Sequence, residues 1–239
     1  VDTAALPETC CPPTLWLRPG RAAYLGPSFR LDTHSGSVHC FALGVDAPFV
    51  LRSADTGERR VRSALIGART PHHLVAGDGR MLFCYLDRVG ELRSAMTERH
   101  SSVHFGHRDE DRLVRDPCEA VEELLGEEPG EIDERVGEAF SLLRVRDASA
   151  AEIAAAVNLS TSRFLHLFSE HAATSFRRYR LWARMLRVAE SVSAGTNLTT
   201  AAVEAGFASP GHFSDAFRAM FGLTASTFLA SRTRIVTLV

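Results

Sequence analysis

Leu198-Thr-Thr-Ala-Ala-Val-Glu-Ala-Gly-Phe207, followed by Ala208-Ser-Pro-Gly-His-Phe-Ser-Asp-Ala-Phe-Arg-Ala-Met-Phe-Gly222, is the stretch that decides the fold. The first run reads as a short Ala-rich helix that stops at Gly206, a residue free to take a positive φ. Ser209 stands where the cap of a second helix belongs, and Gly222 stands where that helix closes. Inside it Phe213, Ala216, Phe217 and Met220 recur at i, i+3, i+4 and i+7, so they share the packed face. Gly211, Ser214, Asp215 and Arg218 fall on the opposite face, which is small and polar. The pattern also occurs upstream, in Ala151-Glu-Ile-Ala-Ala-Ala-Val-Asn-Leu-Ser160 and Thr161-Ser-Arg-Phe-Leu-His-Leu-Phe-Ser-Glu170. Phe164 and Phe168 correspond to Phe213 and Phe217, and Ser160 to Ser209. An internal repeat sets the architecture. Here the repeated unit is a helix-turn-helix, at about 149–171 and 198–222, with a linker helix at about 175–192.

Three groups of residues carry a family likeness: Leu159-Ser-Thr-Ser-Arg-Phe-Leu-His-Leu-Phe168, Arg180-Leu-Trp-Ala-Arg184, and Gly206-Phe207 with His212-Phe-Ser, Phe217-Arg and Phe221-Gly222. Residues 147–232 resemble the DNA-binding domain of the AraC/XylS transcription regulators, over about the last third of the chain. The resemblance implies an all-α, double helix-turn-helix domain at 146–239 that binds double-stranded DNA. It also implies a cupin-like sensor domain upstream, a small-molecule effector, a homodimer, and RNA polymerase as a further partner. Three positions depart from the family pattern. Ala173 replaces a usual glycine, Ala225 a usual proline, and Asp215 an arginine common on the second recognition helix. The last puts the usual contacts in the second half-site in doubt.

A helix in the major groove must turn side chains toward base edges while its other side packs. In the first unit Ser162, Arg163, Leu165 and His166 are placed to do so. Arg163 suits guanine or phosphate, His166 a base edge, and Leu165 a thymine methyl. In the second unit Gly211 and Ser214 permit close approach, Asp215 can accept from cytosine or hold a neighbouring arginine, and Arg218 can reach the backbone. Arg177 and Arg178, at the start of the linker helix, are the expected phosphate contacts.

The formal net charge of −2 hides an asymmetry. Residues 1–135 carry 16 Arg against 22 acidic residues, and residues 136–239 carry 11 against 7. A chain that meets a polyanion with one end has this balance. All 27 basic side chains are arginine. Walker-type phosphate loops, Schiff-base enzymes and Ser-Lys hydrolases each need a lysine and are excluded. Val1–Gly20 has acidic residues and prolines and no apolar run, so no secretory signal is expected, nor any membrane partner; cytoplasm is the expected compartment. The five cysteines (Cys10, Cys11, Cys40, Cys84, Cys118) form no Cys-x-x-Cys pair, so neither a disulfide framework nor a zinc finger is expected. Cys40 and Cys84 read as small buried hydrophobes, with a redox pair as the alternative; Cys10 and Cys11 read as the more reactive pair.

The fold class expected is α+β. Residues 1–90 read as a cupin-like antiparallel β-barrel with strands near Leu15–Leu17, Val38–Leu43, Phe49–Arg52, Val61–Ile66 and Met81–Leu86. His34, His39, Phe41, His72, His73 and Cys84 are the expected lining of an effector pocket within it. A metal site is the sharper reading of the histidines, but the spacing of His34 and His39 lacks an acidic partner, so no metal and no cofactor is expected. Residues 91–145 read as a helical connector, with helices at Glu91–Glu98, Pro117–Gly126 and Glu131–Arg144. The apolar stripes of the last two are a candidate dimer interface. The function expected is therefore a non-enzymatic, effector-responsive DNA-binding regulator. The alternative is a metal-dependent cupin enzyme with a nucleic-acid-binding appendage.

Overall fold

A computed structural model describes residues 12–126 and 132–238. The described residues open with eight strands: β1 Thr14–Arg18, β2 Arg21–Pro27, β3 His39–Gly44, β4 Phe49–Ser53, β5 Gly57–Val61, β6 Ser63–Ile66, β7 His72–Val75 and β8 Arg80–Leu86. A short helix, α1 (Gly90–Ala95), precedes β9 (Met96–Arg99) and β10 (Val103–His107). Nine further elements follow: α2 Glu110–Arg115, α3 Pro117–Gly126, α4 Glu134–Val145, α5 Ala150–Ala156, α6 Thr161–Ala172, α7 Phe176–Ser193, α8 Leu198–Glu204, α9 Pro210–Phe221 and α10 Ala225–Ala230. The described chain closes on a strand, β11 Arg234–Thr237.

The strands form one eight-stranded sheet, in the order β11-β1-β2-β8-β3-β6-β10-β9, and one three-stranded sheet, β5-β4-β7. Side chains alternate across the large sheet, as a pleated strand requires. One face presents Leu25, Phe41, Leu43, Leu65, Leu82 and Cys84, and is covered by α1 and α3 through Leu92, Val121, Leu124 and Leu125. The opposite face has two covers. Toward β6 and β10, the small sheet packs Phe49, Leu51 and Leu74 over Ala42, Ala64, Ile66 and Phe105. Toward β1, β2 and β8, the C-terminal helices lie over Leu15, Leu17, Ala22 and Tyr85. There Tyr85 meets Trp182 and Phe221 at ring separations of 5.9 and 5.3 Å, and the Trp182 indole donates to the Gly20 carbonyl at 2.9 Å. Each large apolar side chain taken out of water contributes about 1.5–3 kcal/mol, so this contact is a strong one.

The expected barrel is corrected. The large sheet is open, with β11 and β9 at its ends, because β4, β5 and β7 leave it to form the small sheet. The five expected strands are present, but the helix expected at Glu91–Glu98 ends at Ala95. Met96 is extended (φ −79, ψ 132), and β9 and β10 carry the sheet past residue 90 to His107, with Val103 and Phe105 buried. Nor is the C-terminal part all-α: Arg234–Thr237 returns to the first strand and pairs with it in parallel, Thr14 opposite Arg234 and Leu17 opposite Thr237. The apolar stripes expected at a dimer interface are spent inside the chain. Those of α3 cover the sheet, and Val136, Phe140 and Leu143 of α4 join the helical core, where Phe140 stacks on Tyr179 at 4.3 Å.

The two helix-turn-helix units form as the repeat requires. Ser160 caps α6 by accepting from the Arg163 amide at 3.3 Å, and Ser209 caps α9 by accepting from the His212 amide at 3.1 Å. In the turns Asn158 (φ 56) and Gly206 (φ 94) are left-handed, and each is followed by an amide that bonds five residues back, Leu159 to Ala154 and Phe207 to Ala202. Asp147 ties the arrangement together. Its carboxylate accepts from Arg180 Nε at 2.7 Å and from Arg184 Nε and Nη2 at 2.8 and 2.7 Å, with Arg187 at 3.7 Å. Burial opposes the charge, yet the hydrogen bonds from Arg184 and Arg180 hold the carboxyl far below the ordinary carboxylate range.

Ala173 ends α6 in the left-handed region at φ 51, a conformation that a Cβ disfavours. Ala173→Gly is expected to raise stability by about 1 kcal/mol in urea unfolding. Asp147→Ala leaves three guanidiniums without their counter-ion and is expected to cost about 3 kcal/mol in the same measurement.

Candidate nucleic-acid interface

Helix α6 buries Phe164 and Phe168 completely, which turns Ser162, Arg163, Leu165 and His166 to solvent. Helix α9 buries Phe213 and Met220 and leaves Gly211, Ser214, Asp215 and Arg218 exposed. All eight expected DNA contacts thus lie on the outer faces of the two recognition helices. Leu165 keeps 38% of its surface exposed, notable for a leucine beside four polar neighbours. Helix α7 spans the two units, and its arginines divide by function. Arg180, Arg184 and Arg187 point to Asp147 and are structural. Arg187 also donates to the carbonyls of Leu143 and Ala205, which joins α7 to the ends of α4 and α8. A strut held at so many points fixes the relation of the two recognition helices.

Two of the expected DNA contacts are engaged elsewhere. The Arg218 guanidinium donates to Asp32 Oδ2 at 2.6 Å, across the boundary between the sheet domain and α9. Arg178 donates to the carbonyl and hydroxyl of Ser35 at 3.1 and 3.2 Å. The backbone follows the same route: the Asp32 amide bonds the Gly222 carbonyl at 2.7 Å, and the Ser35 amide bonds the Ala219 carbonyl at 3.2 Å. Segment 32–35 therefore sits on the C-terminal end of the second recognition helix. Gly222 is required twice there. Its φ is 76°, and a Cβ would come within 2.6 Å of the Asp32 carbonyl and the His34 ring. Arg177 stays exposed, and Asp215 does not hold Arg218; the neighbouring acid that does is Asp32.

The six residues expected to line an effector pocket are not brought together. His34 and His72 form a pair with ring centroids 4.3 Å apart, joined by backbone bonds between the two residues, while His73 lies on the other side of β7. His39, Phe41 and Cys84 sit on the sheet face that the α1 and α3 side fills. Cys40 is next to Phe41 and so points to the opposite face from Cys84, which separates the two thiols; burial pushes the Cys40 thiol up to about 12. Cys10 and Cys11 lie outside the described residues. Among the described residues no three His, Cys, Asp or Glu side chains are grouped to hold a metal.

An apolar cavity lies between the domains instead. It is walled by Leu15, Tyr24 and Phe83 of the sheet and by Met185, Phe217 and Phe228 of the C-terminal helices, and holds ≈ 90 Å³. Its lining is apolar apart from the tyrosine hydroxyls, and that of Tyr24 is taken by the Pro27 carbonyl at 3.0 Å. Sequence reading missed it because its walls come from segments up to two hundred residues apart; the one available signal was the excess of aromatic residues at 213–228.

Burial, Arg93 and His104 lower the His39 pKa to about 4, and burial with the neighbouring His34 and His73 lowers that of His72 to about 4, against an ordinary 6.5. The unfolded chain takes up these protons near pH 6.5, the folded one only near 4. Between those values the unfolded state binds more protons, so stability is full above the interval and falls as pH drops through it. Melting temperature should decline from pH 6.5 to 4, and His72→Gln should flatten the decline; an equal slope in the variant would exclude this assignment.

Comparison with known proteins agrees with this geometry. Residues 153–231 match the family model described as a helix-turn-helix domain. No curated protein matches the sequence. Among solved structures, ToxT from Vibrio cholerae is similar over 89% of this chain and 98% of that one, with 12% identity and a TM-score of 0.53. An unsaturated-fatty-acid-bound form of ToxT from the same organism is similar over 87% of this chain and 94% of that one, also with 12% identity and a TM-score of 0.53. These likenesses establish a shared fold, an N-terminal sheet domain followed by paired helix-turn-helix units. An AraC-type DNA-binding domain from Chromobacterium violaceum covers 41% of this chain and 92% of its own length, at 26% identity and a TM-score of 0.39. No helix among the described residues is long and apolar enough to cross a membrane. The C-terminal third of this chain contains a helix-turn-helix domain, over residues 153–231.

Proposed function

We propose that this protein is a transcription regulator whose DNA affinity is set by an apolar effector bound between its two domains. The observation that carries the proposal is the exposed set Ser162, Arg163, His166, Gly211 and Ser214 on two helices held by one strut. Two such helices address neighbouring major-groove segments about one helical turn apart, Arg177 adding a phosphate contact. A second copy, where it binds, docks through faces other than the apolar stripes of α3 and α4, and RNA polymerase is a further partner of the DNA-bound form.

The cavity supplies the coupling. An effector shifts an equilibrium only by preferring one state. Its ≈ 90 Å³ is less than an apolar cavity of about 150 Å³ that admits benzene. A larger apolar molecule that enters it fully therefore favours a state in which the sheet and α7, α9 and α10 stand further apart. That separation removes Asp32 from Arg218 and Ser35 from Arg178, and returns two cations to the DNA face. The structural relative ToxT is known with an unsaturated fatty acid bound, and amphipathic acids of that class are the first effectors to try.

Selection of duplexes from a random library by the full chain should enrich a site with two half-sites about ten base pairs apart. Arg163→Ala should cost about 1–3 kcal/mol on that site and relax preference within one half-site. Asp32→Asn should tighten binding without effector, and long-chain fatty acids should tighten the native protein more than this variant. Absence of any enriched sequence sinks the DNA-binding reading; enrichment with no response to Asp32→Asn sinks the coupling alone.

A further inference from the structure

A second cleft lies between the domains, separate from the apolar cavity in its lining and in its chemistry. It is formed by segment 35–37 and Arg69 of the sheet domain, by the start of α7, and by the inner flank of α9, with a volume of ≈ 460 Å³. Three arginines line it, Arg69, Arg177 and Arg178, and among the described residues no carboxylate does. Arg178 spends its hydrogen bonds on Ser35, a neutral partner. Arg69 and Arg177 have no ion-pair partner among the described residues. Guanidiniums gathered without a counter-ion raise the free energy of the docked state, and an anion bound among them lowers it.

Three further observations point the same way. Ser37, on the cleft wall, is 1% exposed, and its hydroxyl finds no hydrogen-bond partner among the described residues. A buried donor left unmet costs about 1–3 kcal/mol. Arg69 is held in the left-handed region at φ 66, with its amide bonded to the Gly36 carbonyl at 2.9 Å. Non-glycine residues adopt that conformation at a cost. Finally the cleft opens on the N-terminus of the 18-residue helix α7, beside its cap Ser175, where the first amides and the helix dipole favour negative charge. The remaining wall, Leu181, Ala216 and Met220, is apolar.

We infer that this cleft is a binding site for a small organic anion with two or more negative charges, a phosphate ester or a polycarboxylate, whose short apolar portion lies against Leu181 and Met220. The charged group takes its hydrogen bonds from Arg69 and Arg177, one from each domain, and the ligand thereby joins the sheet domain to the DNA-binding domain. Because bound anion favours the docked state, it opposes an effector that separates the domains. The site does not depend on the apolar cavity, nor on what that cavity binds.

The test is thermal unfolding of the full chain in pyrophosphate and, separately, in citrate, against sodium chloride at equal ionic strength. Either probe should raise the melting temperature saturably above the chloride control, and the stronger of the two assigns the phosphate or carboxylate class. Arg69→Gln and Arg177→Gln should each weaken the apparent affinity about tenfold or more, the loss expected of a charge-assisted hydrogen bond. Equal rises in native protein and both variants, or no rise above chloride, overturn the proposal. Duplex phosphate is the rival anion. Arg69→Gln should leave the salt dependence of DNA binding unchanged; a slope reduced by about one would make the cleft part of the DNA track and overturn the proposal as well.

Discussion

The architecture depends on burial of one half of one sheet face. Leu15, Leu17, Ala22 and Tyr85 form an apolar surface beside the part that the small sheet covers, and β-strands of this composition cannot leave such a surface in water. The C-terminal helices cover it. The sheet domain and the helix-turn-helix domain are therefore two sides of one core, and a change of packing in that core reaches both. Trp182 is the clearest case, since it lies in the middle of the strut, stacks near Tyr85 of the sheet, and hydrogen-bonds the Gly20 turn.

Electrostatics then divides the arginines. With no lysine in the chain, one residue type has to serve packing, domain contact and nucleic acid alike. Asp147 claims three guanidiniums for the interior of the helical domain, and Asp32 and Ser35 each claim one at the domain boundary. Exposure alone does not separate these uses; the partner does. A stripe of five arginines along α7 is thus mostly a clamp, and Arg177 in its first turn is the exposed one.

The helix-turn-helix units were legible because their signals are local. Ser160 and Ser209, the Phe pairs four residues apart and the turn at Gly206 all act within one or two helical turns of themselves. The sheet domain was legible in its strands and misread in its closure, because strand order is decided by long-range pairing that no window of sequence contains. The histidines illustrate the limit. His34 and His72 do meet, but as a buried neutral pair at a bridge between loops, and His39 lies on the other side of the large sheet's fold. The partners of Asp147 lie 33 to 40 residues away, so its importance had no local mark. Strand β11 did have one, the β-branched run Ile235-Val236-Thr237, which the family likeness of the helices before it overshadowed.

That last strand changes what kind of object the DNA-reading half is. Here its final residues complete the neighbouring sheet, so excision would strip β1 of a hydrogen-bonded flank and bare a row of amides able to template a strand from another molecule.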